Sequence, residues 1–111
     1  MALHERTVQG DADALVAHLD DRIVGGSITA KREDSSDQRI GHARMLVRSY
    51  ERYSASGGNR VSLHVAILAV GTELAISVMS AGGSDAMFFK FNTFGEEAFL
   101  DKAVEALDSF G

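Results

Sequence analysis

The chain has no cysteine and no proline among its 111 residues. Without thiols there can be no disulfide, thiolate metal site or cysteine nucleophile, and a reducing compartment fits that composition. Without proline, glycine carries the punctuation. Gly25-Gly26, Gly57-Gly58 and Gly82-Gly83 each fall between patterned segments, where the chain needs a tight reversal. Long apolar runs are missing as well. The longest, Val65 to Val70, is far shorter than the ~20 residues that span a bilayer. The first residues, Met1 to Arg6, show no basic start leading into an apolar stretch, so no secretory signal is visible. We therefore expect a cytoplasmic protein with no membrane segment. Positive charge is the scarcer sign, 11 basic residues against 16 acidic, for a net charge of −5. That balance repels a phosphate backbone and makes nucleic acid an unlikely partner.

What the chain does contain is ordinary for one folded domain over residues 1–111. Hydrophobic residues make up 45% and charged residues 24%, enough to fill a core and well outside the disordered class. Leu3 to Val8 reads as a short first strand. Asp11 stands where an N-cap belongs, and Leu15, Val16, Leu19, Ile23 and Val24 follow at helical spacing until Gly25-Gly26 stops the helix. A second strand is expected over Ser27 to Glu33, a polar turn at Asp34-Ser35-Ser36-Asp37, and one long third strand over Gln38 to Ser54. Gly57-Gly58-Asn59 then turns the chain into a fourth strand, Arg60 to Val70.

Two further hairpins agree with each other. A two-residue Gly71-Thr72 turn sets Ala69, Ile67 and Val65 opposite Leu74, Ile76 and Val78. A four-residue loop at Ala81-Gly82-Gly83-Ser84 sets Val78, Ile76 and Leu74 opposite Met87, Phe89 and Phe91 of a sixth strand. Both turns place the large side chains on one face, and a one-residue slip would send them to the other. Thr93 and Glu96 form a capping box for a last helix striped by Leu100, Ala103, Val104 and Leu107. The expected fold is α+β, an antiparallel β-meander with two helices in the order β-α-β-β-β-β-β-α, helix-grip-like in architecture.

Tyr50-Glu51-Arg52-Tyr53, Gly57-Gly58-Asn59-Arg60-Val61-Ser62-Leu63 and the run from Phe88 to Leu100 resemble a small uncharacterised bacterial family. Its members are about this long and are classed only as a domain of unknown function. The resemblance implies a self-contained domain and supplies no activity, substrate, cofactor or catalytic residue.

The third strand carries Arg44, Arg48 and Arg52 on one face with Leu46 and Tyr50. If the next loop is the odd-numbered Gly57-Gly58-Asn59, then His64, Ala66, Leu68 and Val70 join that face. Arg48, Tyr50, Arg52 and His64 are thus candidate ligand-binding residues for a small anion, although the bland reading pairs these arginines with Glu51, Glu73 or other nearby acids. The same face is unusually apolar. Leu46, Leu68, Val70 and Phe88, with Ala66 and Met79, are candidates for a surface that a helix, a second subunit or a cavity covers.

Other chemistry is thin. His4, His18, His42 and His64 show no zinc spacing, so no metal is expected, and His18 has only Asp21 at a surface-pair spacing. There is no G-x-S-x-G elbow. Glu96 and Glu97 are adjacent on the last helix and diverge by about 100°. We expect a non-catalytic binding or assembly module, homodimeric and without cofactor. The alternative is an enzyme or carrier for a small anion held by Arg48 and Arg52.

Overall fold

The computed structural model describes residues 2–25, 30–53, 60–82 and 89–110, the first part of the last helix (89–97) by its backbone only. In chain order the elements are β1 (Ala2–Gln9), α1 (Ala12–Val24), β2 (Lys31–Ile40), β3 (Ala43–Tyr53), β4 (Arg60–Val70), β5 (Glu73–Gly82) and α2 (Phe89–Asp108). The fold is α+β, with one antiparallel sheet of five strands in the order β1-β5-β4-β3-β2. Strands β2 to β5 form a meander of consecutive hairpins, and β1 closes the sheet beside β5. Both helices lie on the same face.

Local chemistry explains most of these elements. Asp11 caps α1, its carboxylate accepting from the Ala14 N–H at 2.9 Å. Leu15, Leu19 and Ile23, one helical face, are fully buried. From α2, Phe99, Ala103, Ala106 and Leu107 enter the core, with Leu100 partly buried beside them. The β4–β5 hairpin has the expected register, with Ala69, Ile67 and Val65 opposite Leu74, Ile76 and Val78. Its turn glycine, Gly71, has φ +61°, as a glycine at the first central position requires.

Three expectations are corrected. The polar stretch Asp34-Ser35-Ser36-Asp37 is not a turn but the middle of β2, paired with Leu46 to Ser49 of β3. The reversal falls at Gly41-His42, where Gly41 has φ +58°. Because β2 is an edge strand exposed on both faces, its polar side chains lose no hydration by staying in the sheet. A bulge between Arg32 and Asp34 interrupts its ladder.

Second, the partner of β5 is β1, with Val8, Arg6 and His4 opposite Leu74, Ile76 and Val78. Phe89 and Phe91, expected in a sixth strand, belong to α2, and residues 83–88, including Met87 and Phe88, lie outside the described residues. A short run with alternate large residues is ambiguous between strand and helix by pattern alone. Because α2 begins at Phe89, Thr93 and Glu96 lie within the helix and not at its cap.

Third, Tyr53 pairs with Arg60, which makes the parity between β3 and β4 even and not odd; Gly57-Gly58-Asn59 itself lies outside the described residues. That parity reverses which side of β4 joins which side of β3.

Candidate functional site

The reversed parity separates the sheet into two chemically distinct faces. Toward the helices point Leu46, Tyr50, Leu63, Val65, Ile67 and Leu74, all essentially buried. Opposite them is an open face on which cross-strand neighbours form rows. Leu3, Met79, His64, Ser49 and Asp34 make one row, and Glu5, Ser77, Ala66, Val47 and Ser36 the next. Then come Thr7, Ala75, Leu68, Met45 and Gln38, followed by Gln9, Glu73, Val70, Ala43 and Ile40. On this face Leu3, Met45, Leu68, Val70, Met79 and Ile40 are between 40% and 85% exposed. A shallow depression of about 510 Å³ crosses it, lined by Glu5, Met45, Ala66, Leu68 and Ala75.

The candidate residues divide between the two faces. Leu46 lies in the core and Leu68 and Val70 on the open face, so the apolar set expected on one surface is split. His64 is also on the open face, its Nδ1 3.3 Å from the Ser49 hydroxyl. Arg48, Tyr50 and Arg52 point the other way. Four residues of strand separate Arg48 from Arg52, about 13 Å, with Tyr50 buried between them. The Arg48 Nη1 donates to the Val47 and Ser36 carbonyls at 3.0 and 3.3 Å, and its Nε is buried without a partner. Arg52 stacks its guanidinium 4.4 Å from the centre of the Phe99 ring, where burial lowers its pKa. No carboxylate pairs with Arg52 among the described residues. The strand therefore does not bring these groups to one ligand.

The helix side instead carries a polar fastening between α1 and the sheet. Arg44 donates to Asp37 of β2 at 2.9 and 2.5 Å, and to Asp13 of α1 at 3.0 and 2.8 Å. The Tyr50 hydroxyl donates to Asp20 at 2.5 Å, and Arg32 donates to the other oxygen of that carboxylate at 2.9 Å. The sequence offers Glu51, Glu73 or other nearby acids as partners for the arginines. Glu51 pairs with Arg60, whereas Arg44 takes two aspartates of other elements. The only local signal was the placement of Asp13 and Asp20 seven residues apart, two turns of one helix face.

The histidines are dispersed. His18 does not meet Asp21 but crosses to α2, its Nε2 2.8 Å from the Ala106 carbonyl and 2.9 Å from the Ser109 hydroxyl. A carbonyl only accepts, so Nε2 carries the proton. Ser109 also donates to that carbonyl, at 3.0 Å, and together they close the last turn of α2. His4 Nε2 accepts from Arg6 at 3.1 Å. No cluster of metal-ligating side chains occurs among the described residues, and no helix among them is long and apolar enough to cross a membrane.

The sequence profile of a family of unknown function, DUF6054, matches residues 1–111. The chain belongs to that family. No curated protein matches it. DUF6054 membership thus agrees with the resemblance carried by the Gly57–Leu63 and Phe88–Leu100 segments and assigns no chemistry to either face.

Proposed function

We propose that the protein is a non-catalytic binding or assembly module whose working surface is the open face of the sheet, and that it forms a homodimer there. One observation carries the reading: both helices cover the same side, which leaves Leu3, Met45, Leu68, Val70 and Met79 in water on the other. Antiparallel sheets with one wet face normally alternate apolar-in and polar-out. Here the outward positions of β4 and β5 include Ala66, Leu68, Val70, Ala75 and Met79. The size suits a partner. Five strands at about 4.8 Å spacing and rows over about 25 Å give roughly 600 Å² a side, or about 1,200 Å² in a pair. A cytoplasmic setting belongs to the same proposal and is supported by the cysteine-free composition.

Light scattering at tens of micromolar tests this directly. The expected mass is twice the 11.9 kDa of the chain. Leu68→Glu places a charge in the middle of the patch and should return the mass to that of one folded chain, its melting temperature lowered only by the lost stabilisation from association. A wild-type chain that stays monomeric at that concentration overturns the proposal.

A further inference from the structure

The open face alternates a small and a large side chain, Ala66 and Leu68, along its central strand, and that alternation restricts how a second copy can lie on it. We infer that the two copies stack sheet on sheet, end over end, about a two-fold axis running across the strands and passing between Ala66 and Leu68 of β4. This rests on the homodimer proposed above and adds to it the orientation and the contacts.

Stacked sheets keep their strands within about 30° of each other at a separation of about 10 Å. An isologous dimer then has two aligned solutions, with the two-fold axis along the strands or across them. Because β4 is the middle strand of five, an axis along it sets each outward residue of β4 on its own copy. Leu68 would meet Leu68 and Ala66 would meet Ala66. Along β4, the centre of the face, bulk would fall on bulk and gap on gap, while Met45 of β3 would meet Ala75 of β5. His64 would face His64, and Arg60 with its Glu51 partner would face the same pair.

An axis across the strands reverses the order of the rows and keeps each strand over its own copy. Leu68 of one copy then lies on Ala66 of the other, and Met45 on Val47. On β4, the centre of the face, a large side chain meets a small one, the arrangement that lets two faces interdigitate, while Ala75 lies over Ser77 on β5. Thr7 lies over Glu5, so a hydroxyl meets a carboxylate. Val70 approaches His64, and Glu73, beside Val70 on β5, comes to the same region as that imidazole. The end of the sheet with the Arg60–Glu51 and Lys31–Glu33 ion pairs is carried past the edge of the partner's apolar rows instead of onto its own copy.

The absence of native cysteine makes the test clean. Rows are two residues apart, about 6.7 Å. End over end, His64 of one copy faces Val70 of the other, while the two Val70 residues stand about 20 Å apart. Cysteines facing each other across sheets about 10 Å apart are too distant for a direct disulfide, so a short bis-maleimide is the probe. The chain carrying both His64→Cys and Val70→Cys should therefore be joined by it into a covalent dimer at least tenfold more than either single-cysteine variant. Each variant is first weighed in solution without cross-linker, which keeps a lost dimer distinct from a wrong orientation. Cross-linking of the single variants to themselves indicates the axis along the strands and overturns the inference while homodimerisation stands. A dimeric double variant that does not cross-link points to crossed strands or another surface and also overturns it. A monomeric wild type removes the inference together with the function it rests on.

Discussion

Arg44 shows how a few side chains hold α1 to the sheet. Its guanidinium spans a helix and an edge strand through two forked contacts, and those contacts are the main reason the Asp13 and Asp37 pKa values are lowered from 3.8. A carboxyl with a depressed folded pKa contributes stability in full above its unfolded value, and loses it as pH falls through the folded one. The melting temperature should hold steady from neutral pH to about 5 and drop below about 4. Arg44→Met should melt lower at neutral pH and show a shallower acid decline, as thermal scans across that range would reveal. Tyr50 behaves in the opposite sense. Burial and then the Asp20 carboxylate raise its pKa above 10, so its share of stability is present below pH 10 and disappears as pH climbs. Tyr50→Phe removes a hydrogen bond to a charged group and should cost about 1–3 kcal/mol in urea unfolding. In an alkaline titration followed by phenolate absorbance, this phenol should stay silent until the fold opens.

The hairpins decide what could be seen in advance. Val70-Gly71-Thr72-Glu73 is legible because the glycine stands at a two-residue turn between two apolar-rich runs, and pairing across it sets Ala69, Ile67 and Val65 opposite Leu74, Ile76 and Val78. Ile40-Gly41-His42-Ala43 carries the same glycine at the same turn position, yet β2 before it is polar at almost every residue and offered no period to read. Burial writes the alternating pattern, and an edge strand with both faces in water is not required to have one. The face assignment failed for a narrower reason. Whether Leu68 sides with Leu46 depends only on the parity of the connection after Tyr53, and glycine-rich composition does not state a length. The arginine contacts were hidden because Asp13 and Asp37 reach Arg44 only once the sheet and α1 are stacked. A change at Gly41 probes the hairpin alone, since a methyl group there meets nothing within 4 Å and only the positive φ resists it. Gly41→Ala should weaken β2 by about 1 kcal/mol. Hydrogen exchange should then quicken about fivefold in β2 and stay unchanged in β4, the middle of the sheet.

At the scale of the whole molecule, the two faces of the sheet divide the work. One side holds the hydrophobic core beneath two helices, and the other offers side chains that no element of the chain covers among the described residues. If the open faces meet in pairs, folding and association are linked, and the melting temperature rises with protein concentration. Calorimetry over a hundredfold range should show that slope in the wild-type chain and a flat line in Leu68→Glu. A flat line in both would mean that the open face has no second copy upon it.

The place of β1 in the strand order also bears on how the chain is made. Its partners run from Glu73, 64 residues after Gln9, to Ser80, 78 residues after Ala2. On a ribosome the first strand emerges long before the strand it pairs with, while β2, β3 and β4 can zip one hairpin at a time as they appear. Of the five strands, the one made first therefore waits longest for its partner. Until the two pair, β5 keeps a bare edge with Leu74, Ile76 and Val78 beside it, a ready template for a neighbouring chain. Closing β1 onto β5 is the strand pairing of greatest sequence separation in the sheet, the class of contact that is slow to form, and the first strand then acts as a seal on that edge.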